Sequence, residues 1–134
     1  MPLRAIRKRS VMRSKAMDER SADRFATSLV ALSLIRAGFE VRESVRFGSK
    51  VIDILANRFE DDGSETIFGV ECKWVRFLNN LHRENYFAQA SALALNSFPI
   101  EVAVVIGDGA QIRVTPALQK HMVFDASEMT VEPL

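Results

Sequence analysis

The stretch KVIDILANRFEDDGSETIFGVECKWVRF, residues 50–77, decides the centre of the fold. Two runs of branched and aromatic residues flank the polar segment EDDGSE, residues 60–65, a composition typical of two strands joined by a hairpin loop. Asp53 interrupts the first run, and Glu71 and Lys73 interrupt the second. A charge inside a buried strand is unfavourable unless it is paired, hydrogen-bonded or bound to a metal. The sequence therefore predicts that these three side chains share one site.

The pattern on either side of this hairpin predicts an α/β domain with a mixed sheet. Residues 39–48 alternate between apolar and charged side chains, with a slip near Glu43 and Ser44 that indicates a bulge. Three consecutive strands with short turns predict an antiparallel meander. A helix is expected after the third strand, and this crossover would make the strand that begins at Glu101 parallel to the third. A first helix is expected over 18–37, and its apolar face comprises Ala22, Phe25, Ala26, Leu29, Val30, Leu32 and Ser33, of which Phe25, Leu29 and Leu32 are expected in the core. A second helix over 82–97 is expected to pack through Tyr86, Phe87, Ala90, Leu93, Ala94 and Ser97. The other expected elements are a short strand over 110–116 and one short helix or strand in the tail.

Length and composition favour a single folded domain. The chain has 134 residues, 48% of them hydrophobic and 26% charged, the balance of an ordinary globular protein. No apolar run approaches the roughly 18–20 residues that cross a bilayer, and the basic N-terminus has no apolar segment behind it, so neither a membrane span nor a secretory signal is expected. The single cysteine, Cys72, excludes an internal disulfide and is typical of a reducing cytoplasm.

Positive charge is concentrated at the N-terminus, although the net charge is only +1. We expect residues 1–17 to form a basic arm and residues 18–134 to form the domain. Such an arm either contacts phosphate or is simply solvated, and the sequence is compatible with both. Residues 1–24 carry only three acids, Asp18, Glu19 and Asp23, and their basic residues are Arg4, Arg7, Lys8, Arg9, Arg13, Lys15, Arg20 and Arg24.

The spacing of the charged residues predicts a site for a hard cation. Glu71 and Lys73 are two apart, so they project from one face of their strand while Cys72 points into the core. Asp53 lies on the strand expected to pair with theirs. Oxygen ligands suit Mg²⁺ or Mn²⁺, and Asp53, Glu71 and the backbone carbonyl of Cys72 would supply them. Lys73 would hold a nucleophilic water or stabilise developing negative charge, which is the chemistry of phosphodiester hydrolysis.

These residues also carry a resemblance to a known superfamily. Asp53 on one strand, a hairpin, then Glu71-Cys72-Lys73 on the next strand and a following helix resemble the PD-(D/E)XK nucleases. The stretch AGFEVRESVRFGSKVIDIL, residues 37–55, is similar to the matching part of archaeal-type Holliday junction resolvases and Mrr-like restriction nucleases. The resemblance covers residues 19–106. It implies a restriction-endonuclease-like fold and a metal-dependent DNA endonuclease, often a homodimer, in which Asp53, Glu71 and Lys73 are catalytic.

The resemblance also directs attention to further residues. Many such nucleases place another acid on the first helix, where this chain has Thr27. Glu19 and Asp23 are the nearest acids and become candidate metal ligands, although favourable placement near the helix N-terminus would also explain them. Arg46, Ser49 and Lys50 surround the turn before Asp53 and are candidate phosphate contacts, although surface solubility explains them nearly as well. The other candidate DNA contacts are Arg76, after the site strand, and Gln89, although a lone glutamine on a helix is usually solvated.

Two further classes of protein are compatible with the sequence. One is a catalytically inactive nuclease-fold module that binds DNA. The other is a structural or interaction protein in which Glu71 and Lys73 form only an exposed ion pair, since a Glu and a Lys two apart on one strand are routine neighbours.

Overall fold

The computed structural model describes residues 21–93, 98–122 and 129–134. These form one six-stranded mixed sheet with three helices, which confirms the predicted α/β class. Helix α1 covers residues 21–36, and the basic arm predicted for residues 1–17 lies outside the described residues. The remaining elements are β1 (Glu40–Phe47), β2 (Lys50–Phe59), β3 (Glu65–Val75), α2 (Asn80–Leu93), β4 (Ile100–Ile106), β5 (Gln111–Val114), α3 (Pro116–Gln119) and β6 (Thr130–Pro133).

The strands lie side by side in chain order. Strands β1, β2 and β3 pair antiparallel, as the meander predicted, and α2 then carries the chain across so that β4 pairs parallel to β3. Strand β5 returns antiparallel to β4, and β6 pairs parallel to β5 at the far edge. The sheet is mixed because short turns join antiparallel neighbours, whereas connections that contain a helix join parallel ones.

Each face of the sheet has its own apolar layer. On the first face, α1 packs Ala26, Val30 and Leu34 against strand residues such as Ile54 and Val70. On the second face, α2 packs Ala90 within a layer built mainly from the strands. The strand members of that second layer include Ile52, Leu55, Ile100, Val102 and Val104. Burial on both faces explains the nearly continuous apolar runs in β2, β3 and β4.

The predicted core face of α1 is right for Ala26, Val30 and Ser33, which are buried, but it is wrong in part. Phe25 and Leu32 were expected in the core but are 43% and 45% exposed, whereas Leu34 is fully buried and Leu29 packs at the margin. Ala26, Ala31 and Ser33 are buried on the inward side of the helix. Phe25 covers the β4–β5 turn instead, where a Cβ on Gly109 would lie only 2.9 Å from its ring and φ is +91°.

The expected packing of α2 is also only partly right. Ala90 is buried, and Tyr86 and Leu93 pack at the margin of the second layer. Phe87 was expected to pack as well, but it is 39% exposed because it lies on the outward side of the helix. Ala94 and Ser97, which the same prediction included, lie outside the described residues.

Strands β1 and β2 change faces together at one register position. In β1, Val41 packs in the α1 layer and Val45 in the α2 layer, although four residues separate them and regular alternation would keep them on one side. In β2, Ile52 and Ile54 are split between the layers in the same way. The ladder skips the facing pair Ser44 and Asp53, and Ser44 has φ +54°. A bulge-like irregularity therefore sits opposite Asp53, where the slip of alternation predicted one.

Candidate functional site

The site forms where β2 separates from β3. Pairing between these strands ends at Ile54 and Val70, so the main chain at Asp53 and beyond Val70 has no ladder partner across this gap. The Cys72 N–H donates to Asp53 Oδ2 at 2.8 Å, and the Asp53 N–H donates to Glu71 Oε1 at 3.4 Å. Each carboxylate thus reaches across to the other strand's backbone. The irregularity at Asp53 turns its side chain into the gap, and the two acids interlock there.

Glu71 is the more strongly perturbed of the two acids. It is 8% exposed, and burial together with the charge of Asp53 raises its pKa to about 7, against the lowering effects of the Asp53 N–H and Lys73. Burial also raises the pKa of Asp53, while the Cys72 N–H and Lys73 lower it. Two acids with raised pKa values in one gap form a place where added positive charge is favourable.

A cleft of about 480 Å³ opens onto this gap. Its walls come from α1, from the irregular part of β1, and from the ends of β2 and β3. The lining residues are Asp23, Arg24, Thr27, Ser28, Glu43, Ser44, Asp53, Cys72 and Lys73. The cleft therefore brings charged groups from four elements around the exposed side of Asp53.

Lys73 and Cys72 point as strand parity predicts. Cys72 is 4% exposed and packs in the α1 layer, and burial followed by the Asp53 charge raises the pKa of its thiol well above the ordinary value. Lys73 faces α2 instead, with its ammonium over the ring of Tyr86 at 5.9 Å from the centroid. The Lys73 charge lowers the pKa of both Asp53 and Glu71.

The structure brings one of the two helix acids to the cleft. Asp23 lines it and is close enough for its charge to raise the pKa of Asp53 and of Tyr86. Glu19 lies outside the described residues. Thr27, which occupies the place where the superfamily commonly has an acid, also lines the cleft and accordingly offers a hydroxyl there.

The five candidate DNA contacts are all exposed, but none lines the cleft. The ammonium of Lys50 donates to the Ala92 carbonyl at 3.0 Å, so this lysine ties β2 to the last turn of α2. Arg46, Ser49, Arg76 and Gln89 remain surface candidates.

Sequence analysis missed several residues of the cleft. Arg24 brings a positive charge to the wall, but in the sequence it was one among many basic residues of the N-terminal region. Ser28, Glu43 and Ser44 were not proposed as site residues. The signal for the last two was the slip of alternation in β1, which marks the position that faces Asp53.

The donor set fits a magnesium-like ion better than a zinc-like one. Within residues 21–93, 98–122 and 129–134, no group of three or more His, Cys, Asp or Glu side chains is arranged to hold a metal. Mg²⁺ usually takes only one or two carboxylates and completes its shell with water and substrate oxygens. Asp53 and Glu71 meet that smaller demand, and the Cys72 carbonyl lies on the strand segment between Glu71 and Lys73.

Comparison with known proteins does not assign a family. No protein-family model, curated protein or solved structure matches this chain. In the part of the chain that is described, there is also no helix with the length and apolar character to cross a membrane. The resemblance to the PD-(D/E)XK nucleases accordingly rests on the sequence motif alone.

Proposed function

We propose that this chain is a divalent-metal-dependent DNA endonuclease of the cytoplasm with a restriction-endonuclease-like fold. The observation that carries the proposal is the interlocked pair Asp53 and Glu71 beside Lys73, at the point where β2 and β3 separate. A structural ion pair would need no second acid, and it would not leave Glu71 with a pKa raised to about 7. The mixed strand order, with α2 between β3 and β4, agrees with the resemblance.

The residues divide the work of hydrolysis by position. Asp53 and Glu71 would hold Mg²⁺ or Mn²⁺, with the Cys72 carbonyl as a third oxygen ligand. When bound, the ion would polarise a phosphoryl oxygen and lower the pKa of a water. Lys73, on the same strand face as Glu71, orients the attacking water and stabilises negative charge that develops on phosphate. Arg24 in the cleft wall offers a second positive charge to the DNA backbone.

Plasmid nicking with Mg²⁺, Mn²⁺ or EDTA tests the proposal. Asp53→Ala should reduce metal-dependent cleavage to about 1% of wild type or less, because the ion loses a ligand. Asp53→Asn retains an oxygen acceptor for the Cys72 N–H, so it separates loss of charge from loss of that hydrogen bond. Asp61→Ala, in the exposed hairpin loop, is the matched control and should cleave normally. Full activity of either Asp53 variant would refute the assignment.

A catalytically inactive module that binds DNA is the second candidate. The observation that favours it is Thr27, which lines the cleft where the superfamily commonly has an acid, because a hydroxyl brings no negative charge to a metal. Tight DNA binding in a gel-shift assay, without nicking under any metal condition, would support this candidate and reject the enzyme.

Duplex cleavage would require a second active site, and we propose that a homodimer supplies it. One domain of this size covers little duplex and carries one site, whereas the two strands of DNA run in opposite directions. A two-fold dimer presents identical sites to both strands. Sedimentation of the protein with and without DNA would test this, and a monomer that linearises plasmid in one binding event would contradict it.

A further inference from the structure

Two rings of α2, those of Tyr86 and His82, form a row that begins at Lys73. The ring of Tyr86 faces the Lys73 ammonium, 5.9 Å from its Nζ to the ring centroid. One turn earlier on the helix, the imidazole of His82 stacks on Tyr86 at 6.0 Å with an interplanar angle of 19°. The backbone N–H of His82 donates to Asn79 Oδ1 at 2.8 Å, so the Asn79 side chain caps the start of the helix. The stacked rings of His82 and Tyr86 are therefore held near the start of α2 and extend to Lys73 at the candidate site.

A lysine on a strand is poorly positioned by its own covalent structure. Its four-carbon stem is flexible and its ammonium is a compact point charge. The negative face of an aromatic ring attracts such a charge within about 6 Å. Tyr86 is itself restrained by His82 on the helix and by the apolar layer of α2. Lys73 therefore has a restrained aromatic partner on α2 in addition to the nearby charges of Asp53 and Glu71.

We infer that Tyr86 is a positioning residue, which holds the Lys73 ammonium at the mouth of the gap between Asp53 and Glu71. The ring face makes the contact, and the hydroxyl is not needed for it. The catalytic consequence rests on the proposed function, because it takes Lys73 to serve the attacking water. The contact itself does not depend on that function.

The catalytic consequence is a loss of rate with little loss of substrate affinity. Tyr86→Leu keeps an apolar side chain in the α2 layer but removes the ring, and it should lower kcat about three- to tenfold with KM for DNA nearly unchanged. Tyr86→Phe should retain wild-type kcat because it keeps the ring. Phe87→Leu is the matched control, since Phe87 is an aromatic neighbour on the outward side of the same helix, and it should have no effect.

Lysine NMR tests the contact without relying on cleavage. In protein labelled at lysine Cε, the Lys73 signal, assigned through Lys73→Arg, should be shifted by the Tyr86 ring current. That shift should persist in Tyr86→Phe and collapse in Tyr86→Leu. An unshifted Lys73 signal in wild type would overturn the inference. So would equal kcat values for Tyr86→Leu and wild type in an enzyme that Asp53→Ala inactivates. If Asp53→Ala remains active, the proposed function fails while the NMR result still decides the contact.

Discussion

Replacing Glu71 by glutamine should make the metal-free protein more stable at pH 8. Burial and the nearby Asp53 charge raise the pKa of Glu71 from the ordinary 4.5 to about 7. The folded state therefore holds a proton between pH 4.5 and 7 that the unfolded state releases. The contribution of Glu71 to stability is complete below pH 4.5 and is lost as the pH rises through 7.

The size of the effect follows from the raised pKa. A rise from 4.5 to about 7, at 1.4 kcal/mol for each pKa unit, sets a ceiling of about 3.5 kcal/mol. Water that enters between the separated strand ends reduces this, so we expect about 2 kcal/mol. For a domain of this length, that corresponds to a Tm increase of roughly 8 °C for Glu71→Gln at pH 8. At pH 4.5 the two proteins should melt together, since Glu71 is then protonated in the folded state and the free-energy difference has vanished.

Thermal melts in EDTA over pH 4.5–8 measure this difference directly. Glu71→Gln keeps the oxygen that accepts from the Asp53 N–H, so it removes the charge and little else. Asp53 also has a raised pKa, so a smaller decrease of Tm with rising pH should remain in Glu71→Gln. Glu65→Gln, at the exposed start of the same strand, is the matched control and should follow the wild-type curve.

Added Mg²⁺ should reverse the order of stability. A hundredfold excess of ion over Kd stabilises a one-site protein by about 2.7 kcal/mol, more than the roughly 2 kcal/mol that separates the two proteins. Wild type should gain this at pH 8, whereas Glu71→Gln should gain almost nothing because it has lost a ligand. Parallel curves of Tm against pH for wild type and Glu71→Gln would refute the claim that burial and the Asp53 charge raise the pKa of Glu71. Equal Mg²⁺ responses would refute the metal site alone.

The remaining predictions concern packing around the site. Gly69→Ala should lower the free energy of unfolding by about 1–3 kcal/mol in urea titrations. The reason is that a Cβ at this position would lie 2.5 Å from Ile100 Cδ1 and 3.1 Å from Ile52 Cγ2. Unchanged stability would mean that these side chains move aside without a cost in free energy. Cys72 should react with a thiol reagent at least about a hundredfold more slowly in the native protein than in urea, since the thiol is buried and its pKa is raised. Rapid native labelling would show that β3 opens at the site.

Much of the sheet was predictable because hydrophobic pattern and turn residues agree there. The bounds predicted for β2, residues 50–59, are those observed, and the parallel pairing of β4 with β3 followed from the intervening helix. Strand β6 was not placed, because Thr130–Pro133 is short and becomes a strand only by pairing with β5. The core face of α1 was predicted only in part, because apolar residues surround that helix on several sides and only the sheet selects which of them are buried.

The three central charged residues of the candidate site were predictable, whereas its geometry and the remaining residues of the cleft were not. Strand parity placed Glu71 and Lys73 on one face, and they lie there. Asp53 reaches the same gap through the change of faces at Ser44 and Asp53, which residue types alone do not specify. The contribution of Tyr86 from α2 depends on how that helix sits over β3, and this is a tertiary property.

Because β1 and β2 change faces at the same position, the two ends of the β1–β2 ribbon pack in different apolar layers. In the base of the ribbon, Val41 and Ile54 pack under α1, whereas in its tip, residues 45–52, Val45 and Ile52 pack with α2. Deleting one residue from either strand would send the tip's apolar side chains into water, so indels on the two strands must occur as matched pairs to be tolerated. Asp53 occupies the crossing point, and any bending of the tip would turn its carboxylate directly. A ligand that binds the tip of the ribbon would therefore change the orientation of the Asp53 carboxylate.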